Sequence, residues 1–477
     1  MSKMFSVKRL NFKLSTKYAG SDKTCGLAKT CYNIKMKNDK LVCSNGTTRF
    51  TLPQNISLKT PLEVIQPPCK LKKIWKYSYR DSTSGERKYI MFCWGVDNKL
   101  YAFDLFDNDR DYIKLLDYPF GTTPCFSTFS WSDKDGAMFC ATSDDFVYFE
   151  NSTTPQIATR GTKFCSICYY KERLFGLCNT DDGLLKYTKE TKLFDWSDTA
   201  DLGEINLHKS KGQMRRLVPL DNGLLCVGDY EIVRVEIPRV ISMTTINSVL
   251  VSGSKIYADT VIKVKDMVYF LAQDGLYCTD GYEVKKIPMG FEDKIQDVDQ
   301  SYAISEAYEG KLYIAMKFDF GEEDTKKNNT LVEIDLNDYS YSIMKGYDIR
   351  SLMAVCDKGS SRLVLLVDDD RMLYQIDDSG TFYGLIMKRL YESADIDLGS
   401  CGKKKILDEI YLGVGKGMTL KVCSDEGFRQ FEVKDNTPNR KYYCKLPGKK
   451  FWITLSGTDN LVAQRDVEMV FRVRNDI

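Results

Sequence analysis

The amino-acid sequence predicts an all-β protein, a β-propeller of about seven blades followed by a small C-terminal antiparallel β-sandwich. Three observations lead to this prediction. β-prone runs separated by tight acidic turns recur about every 35–50 residues, a spacing typical of propeller blades. The chain has 29 Tyr and 24 Phe against 12 Pro, which favours strands over loops. From about residue 400 onward, the predicted strands become longer and alternate apolar with polar residues.

The segment Lys255–Lys286 displays the repeat most clearly. Its run Met267–Ala272 is apolar on both alternating faces, which predicts a strand that is buried on both sides. Asp274-Gly275 and Asp280-Gly281 follow as hairpin turns, because two-residue type I′ turns need the positive φ that glycine tolerates. Four short strands joined by tight turns and covered on both faces are typical of one propeller blade.

The same succession of strands and turns is predicted in six further units. A total of six or eight units would fit the spacing as well, because the N-terminal segment could complete one of them. The β-prone runs that open these six units are Lys72–Tyr79, Phe126–Trp131, Phe164–Tyr170, Arg216–Pro219, Tyr302–Tyr308 and Ser351–Cys356.

Three parts are expected along the chain. They are an N-terminal arm at residues 1–60 that could complete a blade, the propeller at 61–398 and the sandwich at 399–477. In the last part, Val467, Met469 and Phe471 alternate with charged Glu468 and Arg472, so one face of that strand should be buried and the other wet. We therefore expect the sandwich to fold as a separate unit with its own small core.

Composition excludes several classes of protein. Among 477 residues, 43% are hydrophobic and 28% are charged, which is ordinary for a globular protein and not for a disordered one. The net charge of +2 gives no indication of direct nucleic-acid binding. The N-terminus lacks the apolar segment of a signal peptide, and no uninterrupted apolar run approaches the ~18 residues of a membrane span. We expect a protein assembled in the cytoplasm without a membrane partner.

The sequence contains no recognisable catalytic, cofactor-binding or metal-binding motif. Its single histidine, His208, removes most histidine-dependent reactions and any His-rich metal site. Cys165 and Cys168 form a CxxC within a β-prone run, where they are expected on opposite faces in a structural role. A propeller can hold a catalytic acid–base pair in its central channel, but the sequence does not single one out from 66 acidic residues. We therefore predict a protein that is not an enzyme.

A candidate interaction surface is predicted in the sandwich. Trp452 and Phe471 are large enough to anchor a partner or the propeller rim. Lys403, Lys404 and Lys405 lie just before the first sandwich strand and are expected to form an exposed basic hinge.

Several segments of the chain share a pattern with a known group of proteins, and they are Leu193–Asp198, Gly203–Asn206, Met214–Val218, Leu224–Gly228, Tyr230–Ile232, Cys31–Ile34, Leu41–Gly46, Ile406–Val414 and Lys449–Val473. In these segments the chain resembles tail and neck proteins of bacteriophages. In those proteins a strand ending in Trp-Ser-Asp is followed by a glycine-containing connector and a pair of strands. The connector of this chain lacks the Asp-Pro loop that usually follows Trp-Ser-Asp in the family.

The resemblance implies a structural protein of the virion, similar to the tail-completion, DNA-stabilising proteins of short-tailed phages. Such a protein would form a symmetric oligomer with portal, neck or tail components and would supply no catalytic residues. Two other classes remain open. One is a carbohydrate- or receptor-binding propeller, and the other is a propeller hydrolase or lyase that acts on glycans.

Without a secretion signal, the 16 cysteines are expected to be reduced, and several fall inside predicted strands as small buried hydrophobes. Mass spectrometry after alkylation of the denatured, unreduced protein should therefore detect a modified thiol at every cysteine. The recovery of several native disulfides would contradict both this state and assembly in the cytoplasm.

Overall fold

The computed structural model describes residues 6–12, 25–26, 28–50, 69–105, 113–116, 125–131, 136–142, 146–158, 163–178, 183–190, 193–194, 196, 203–207, 212–238, 241–357, 360–367, 373–382, 384–396, 398 and 403–473. The predicted all-β class is confirmed, because these residues form strands and three single-turn 3₁₀ helices but no α-helix. No helix within these ranges is long and apolar enough to cross a membrane. The 3₁₀ helices are Ile241–Met243, Ala258–Thr260 and Glu292–Lys294.

Six four-stranded antiparallel sheets follow one another along the described chain, and each uses four strands that are consecutive in sequence. We number these sheets 1 to 6. Their strands are, in sheet 1, Leu71–Arg80, Arg87–Gly95, Leu100–Asp104 and Ile113–Leu116; in sheet 2, Cys125–Trp131, Gly136–Thr142, Phe146–Glu150 and Gln156–Ala158; in sheet 3, Phe164–Tyr170, Arg173–Cys178, Leu184–Tyr187 and Gly203–Asn206; in sheet 4, Met214–Leu220, Gly223–Gly228, Glu231–Glu236 and Thr245–Val251; in sheet 5, Ile262–Val264, Met267–Ala272, Gly275–Thr279 and Val284–Ile287; and in sheet 6, Ile304–Tyr308, Lys311–Met316, Thr330–Asp335 and Tyr341–Lys345.

Sheet 5 has the strand Met267–Ala272 with the bounds that the sequence predicts. Val268 and Phe270 pack into a core shared with sheet 4, whereas Tyr269 and Leu271 pack into a core shared with sheet 6. The predicted burial on both faces is therefore confirmed, and the strand is covered by a neighbouring sheet on each side.

Sheet 7 contains six strands, and one of them comes from the N-terminal part of the chain. The strand Gly46–Arg49 pairs antiparallel with Leu373–Asp377 and parallel with Thr381–Phe382. It therefore lies between two strands that come much later in the chain. A Cβ atom on Gly46 would lie 2.6 Å from the backbone nitrogen of Thr381, which leaves room only for glycine. The remaining strands of sheet 7 are Ile349–Asp357, Ser360–Val367 and Leu385–Ile386.

The seven sheets pack in a closed circle. Each sheet shares a hydrophobic core with the next sheet in sequence, and sheet 7 shares one with sheet 1. At this last interface Ile74 and Met91 pack with Met353 and Val364, all at most 2% exposed. Four-stranded sheets stacked face to face around an axis give a β-propeller-like fold.

Three further sheets, numbered 8 to 10, surround a second core, and we call them together the terminal unit. A single cluster of buried side chains joins the three sheets. Their strands are, in sheet 8, Cys25–Gly26, Ser6–Phe12, Asp466–Val473, Lys405–Leu412 and Arg440–Gly448; in sheet 9, Ala28–Tyr32, Arg389–Ser393, Phe451–Gly457, Met418–Ser424 and Gly427–Glu432; and in sheet 10, Ile34–Lys37, Lys40–Cys43 and Leu461–Gln464.

The core of the terminal unit extends beyond the predicted range 399–477. Leu10, Ile34 and Leu41, which fall within the predicted arm at 1–60, are at most 3% exposed and belong to this core together with Tyr391. The reason is strand pairing, because Ser6–Phe12 lies antiparallel to Asp466–Val473. The segment predicted as one arm is thus divided between the terminal unit and sheet 7.

Replacing Leu41 by alanine should lower the free energy of unfolding by about 2–5 kcal/mol, because the side chain is 0% exposed within the core of the terminal unit. Val7→Ala, at a residue that is 56% exposed in the same N-terminal region, should change it by less than about 0.5 kcal/mol. Urea unfolding of both variants measures the difference. Equal stability of the two variants would mean that the N-terminal strands are not part of this core.

Candidate functional site

A cavity of about 320 Å³ lies where the inner strands of the seven sheets meet. Every one of these sheets contributes to its wall, in sheet 5 together with the preceding 3₁₀ helix. Lining residues taken one per sheet, from sheet 1 to sheet 7, are Lys73, Phe126, Ser166, Arg216, Lys263, Glu306 and Ser351. A volume of this size suits a small molecule.

Hydroxyl groups connect neighbouring inner strands around this cavity. The backbone N–H of Leu217 donates to Ser166 Oγ at 3.0 Å, which joins sheets 3 and 4. The Ser305 hydroxyl donates to the Thr260 carbonyl at 2.7 Å and joins sheet 6 to the 3₁₀ helix before sheet 5. Ser351 Oγ accepts the N–H of Ile74 at 3.3 Å and joins sheets 7 and 1. These bonds satisfy backbone groups that ladder pairing leaves open at the inner edges.

Two carboxylates and four basic groups line the cavity. Asp259 accepts a hydrogen bond from Lys73 Nζ at 3.4 Å, and the nearby ammonium lowers the pKa of the Asp259 carboxyl. Lys263 Nζ donates to the Pro219 carbonyl at 3.2 Å. The basic groups are Lys73, Lys76, Arg216 and Lys263, and the carboxylates are Asp259 and Glu306.

Glu306 differs from Asp259 in its protonation behaviour. Desolvation by burial raises the pKa of its carboxyl, and the charges of Lys76 and Arg216 oppose this increase without cancelling it. The backbone N–H of Ala307 also donates to Glu306 Oε1 at 3.1 Å. The two carboxyls of one cavity thus have pKa values shifted in opposite directions, an arrangement that can supply a proton acceptor and a proton donor. The sequence alone could not select this pair.

The structure separates the residues that the sequence grouped into one interaction surface. Phe471 is 5% exposed and Lys405 is 1% exposed, because both side chains face inward on sheet 8, so neither belongs to an exposed surface. Trp452 is half-buried opposite Cys423 on sheet 9. Lys403 is exposed, and Lys404 forms an ion pair with Glu426 at 2.8 Å. Only part of the predicted surface therefore remains.

An exposed apolar pair that the sequence did not identify lies at the edge of sheet 7. Leu385 and Ile386 are 67% and 69% exposed in the outermost strand of that sheet. The sequence pattern predicts one strand over Phe382–Met387. The structure instead has two short strands, Thr381–Phe382 and Leu385–Ile386, which pair with each other, and the second forms the edge.

The CxxC motif has the expected structural role with a different geometry. A β-bulge between Phe164 and Ser166 shifts the register at Cys165, so Cys165 and Cys168 both pack on the core between sheets 3 and 4 and not on opposite faces. Burial raises the pKa of each thiol to about 12, which disfavours the reactive thiolate. The thirteen cysteines whose side chains the structure describes are all free.

Among the residues that the structure describes, no group of three or more His, Cys, Asp or Glu side chains could hold a metal ion. The single histidine, His208, lies outside the described residues.

Comparison with known proteins identifies no family. No family model and no curated protein sequence matches the chain. Among solved structures, it is similar to the WD40 domain of Pan2 from Neurospora crassa, with 7% identity, a TM-score of 0.43, and coverage of 72% of this chain and 97% of that domain. Likeness at this level carries no information on activity, ligand or partners.

Glu306→Gln and Asp259→Asn should change the pH dependence of stability in opposite directions. Because the pKa of Glu306 is raised in the folded protein, the wild type loses stability as the pH rises above about 4.3. The glutamine variant lacks this loss, so its stability should increase relative to that of the wild type toward pH 7. The lowered pKa of Asp259 contributes stability above a pH of about 3.9. The asparagine variant should therefore be less stable than the wild type at pH 7, by about 0.2–1 kcal/mol because the Asp259 side chain is 53% exposed, and the two should be equally stable near pH 2.

Thermal or urea unfolding between pH 2 and 8 gives both curves. Parallel curves for the two variants and the wild type would contradict the opposed shifts of the two carboxyls.

Proposed function

We propose that this chain is a non-enzymatic structural protein, built as a seven-bladed propeller whose seven blades are sheets 1 to 7. In this proposal the terminal unit is a β-sandwich appended to the ring. The propeller supplies a rigid body, because closure of the circle leaves few open sheet edges and the loops present a broad docking surface.

The observation that carries an assembly role is the exposed edge of sheet 7. Leu385–Ile386 pairs with Thr381–Phe382, and no described strand lies on its other side. Its two side chains are about two-thirds exposed, and the following Met387 is 5% exposed. A free strand edge with apolar side chains is a template for pairing with another chain. This edge therefore favours a partner that adds a strand to sheet 7.

We further propose that the assembly is the neck or tail of a bacteriophage particle. The sequence resemblance to phage tail and neck proteins supports this context, with portal, neck or tail proteins and further copies of this chain as partners. The protein would then be located in the virion after assembly in the host cytoplasm. The net charge of +2 gives no reason to add nucleic acid as a direct partner.

A second candidate is a carbohydrate- or receptor-binding propeller. Exposed tyrosines favour it, because an aromatic face can stack on a sugar ring. Tyr443 is 62% exposed, with Lys441 Nζ 4.7 Å from its ring centroid. Tyr302 is 45% exposed, with Lys327 and Arg350 each 5.0 Å from its ring centroid. Binding of the full chain to a glycan array, lost on Tyr302→Ala or Tyr443→Ala, would support this function over assembly.

The double variant Leu385→Asp and Ile386→Asp should abolish self-association without unfolding the protein. Charges on an edge strand repel an incoming strand, and both positions are exposed in the single chain. Sedimentation velocity over a range of concentrations, with the chain alone and with the products of its neighbouring genes, measures association. Val251→Asp is the matched control, because Val251 is 63% exposed at the end of the outermost strand of sheet 4.

The proposal requires that the wild type and Val251→Asp associate while the double variant stays monomeric. A wild type that remains monomeric under all of these conditions would contradict it. Adjacent portal, capsid or tape-measure genes would support the phage context, and their absence would remove it.

A further inference from the structure

The cavity between the seven sheets has an excess of positive charge. Four of its lining residues are basic and two are acidic, although the whole chain has almost balanced charges with 68 basic and 66 acidic residues. A local excess of two cations in a recess with low-dielectric walls attracts anions more strongly than the same charges on an open surface.

Two of the cations are already engaged by protein groups. Lys73 is hydrogen-bonded to Asp259, and Lys263 donates to the carbonyl of Pro219 and lies 3.7 Å from the carboxylate of Asp221. These contacts use much of the donor capacity of both ammonium groups. The hydrogen bond from Lys73 also engages Asp259, which is one of the two acidic groups of the cavity.

The other two cations, Lys76 and Arg216, form no hydrogen bond or ion pair with any residue in the described part of the chain. Both act electrostatically on Glu306, whose single carboxylate can balance only one of the two cations. Arg216 is half-buried in the wall and Lys76 is exposed to the cavity solvent. Their donors therefore remain open to a ligand.

We propose that this cavity binds a compact oxyanion of the phosphate class that carries two or more negative charges, with Arg216 and Lys76 as its principal donors. A guanidinium presents paired N–H groups that match two oxygens of a phosphate, and an ammonium adds a point charge. The volume of about 320 Å³ accommodates a small anion or nucleotide phosphate rather than a polymer. This site does not depend on the assembly role proposed above.

Isothermal titration calorimetry on the full chain at fixed ionic strength and pH 7 tests the site. Inorganic phosphate, pyrophosphate and ADP serve as probes. Pyrophosphate should bind more tightly than phosphate, and Arg216→Gln and Lys76→Gln should each weaken binding by about tenfold. Glu306→Gln should strengthen binding several-fold, because it removes an acidic group and leaves the donors in place. Lys285→Gln is the charge-matched control, at a side chain that is 71% exposed on the outermost strand of sheet 5, and should not alter binding.

If pyrophosphate binds more tightly than ADP, the ligand is a free inorganic anion. If ADP binds more tightly than pyrophosphate, the ligand is a nucleotide. Either result supports the proposal. The proposal is overturned if none of the three probes binds. It is also overturned if Lys285→Gln weakens binding as much as Arg216→Gln, or if Glu306→Gln weakens binding, because the charge of the cavity would then not determine affinity.

Discussion

The strand Gly46–Arg49 is the element on which the rest of the molecule depends. It completes sheet 7 between Leu373–Asp377 and Thr381–Phe382, while the described strands before it belong to the terminal unit. Thr47 is 0% exposed and Gly46 has no space for a side chain, so the strand is held tightly at this position. Thr47 pairs with Ile376, a contact between distant parts of the chain whose formation costs loop-closure entropy.

The same N-terminal segment attaches the terminal unit to the ring. Asn33 adopts a positive φ of 58° and bonds with its backbone and side chain to Ile343, Lys345 and Lys388. At the junction with sheet 7, the buried guanidinium of Arg389 donates to the carbonyls of Met387, Gly380 and Thr458 and to Asn460. Both terminal nitrogens of this buried charge are paired, whereas its Nε has no partner among the described residues. The acceptors come from both parts of the molecule, so this residue requires both parts to be in place. The ring and the terminal unit are therefore physically coupled.

Closure of the ring also creates the cavity. The inner strands approach one another without ladder pairing and are joined by serine hydroxyls, which leaves a polar space between them. Charged side chains from sheets 1, 4, 5 and 6 meet there only because the circle is complete. The opposed pKa shifts of Asp259 and Glu306 and the open donors of Arg216 and Lys76 are consequences of that meeting.

The sequence by itself determined the all-β class and the strands of the repeated units, because alternation and turn residues act over a few neighbouring positions. Met267–Ala272 has both its predicted bounds and its predicted burial for this reason. Only the tertiary structure decided that the N-terminal strands, from Ser6–Phe12 to Gly46–Arg49, divide between the terminal unit and sheet 7, since pairing between distant strands leaves no local signal. It likewise placed Lys405 and Phe471 inside and Leu385 and Ile386 outside, and it brought the six charges of the cavity together. These outcomes depend on which strands from distant parts of the chain lie next to one another, and the packing of the complete fold determines that arrangement.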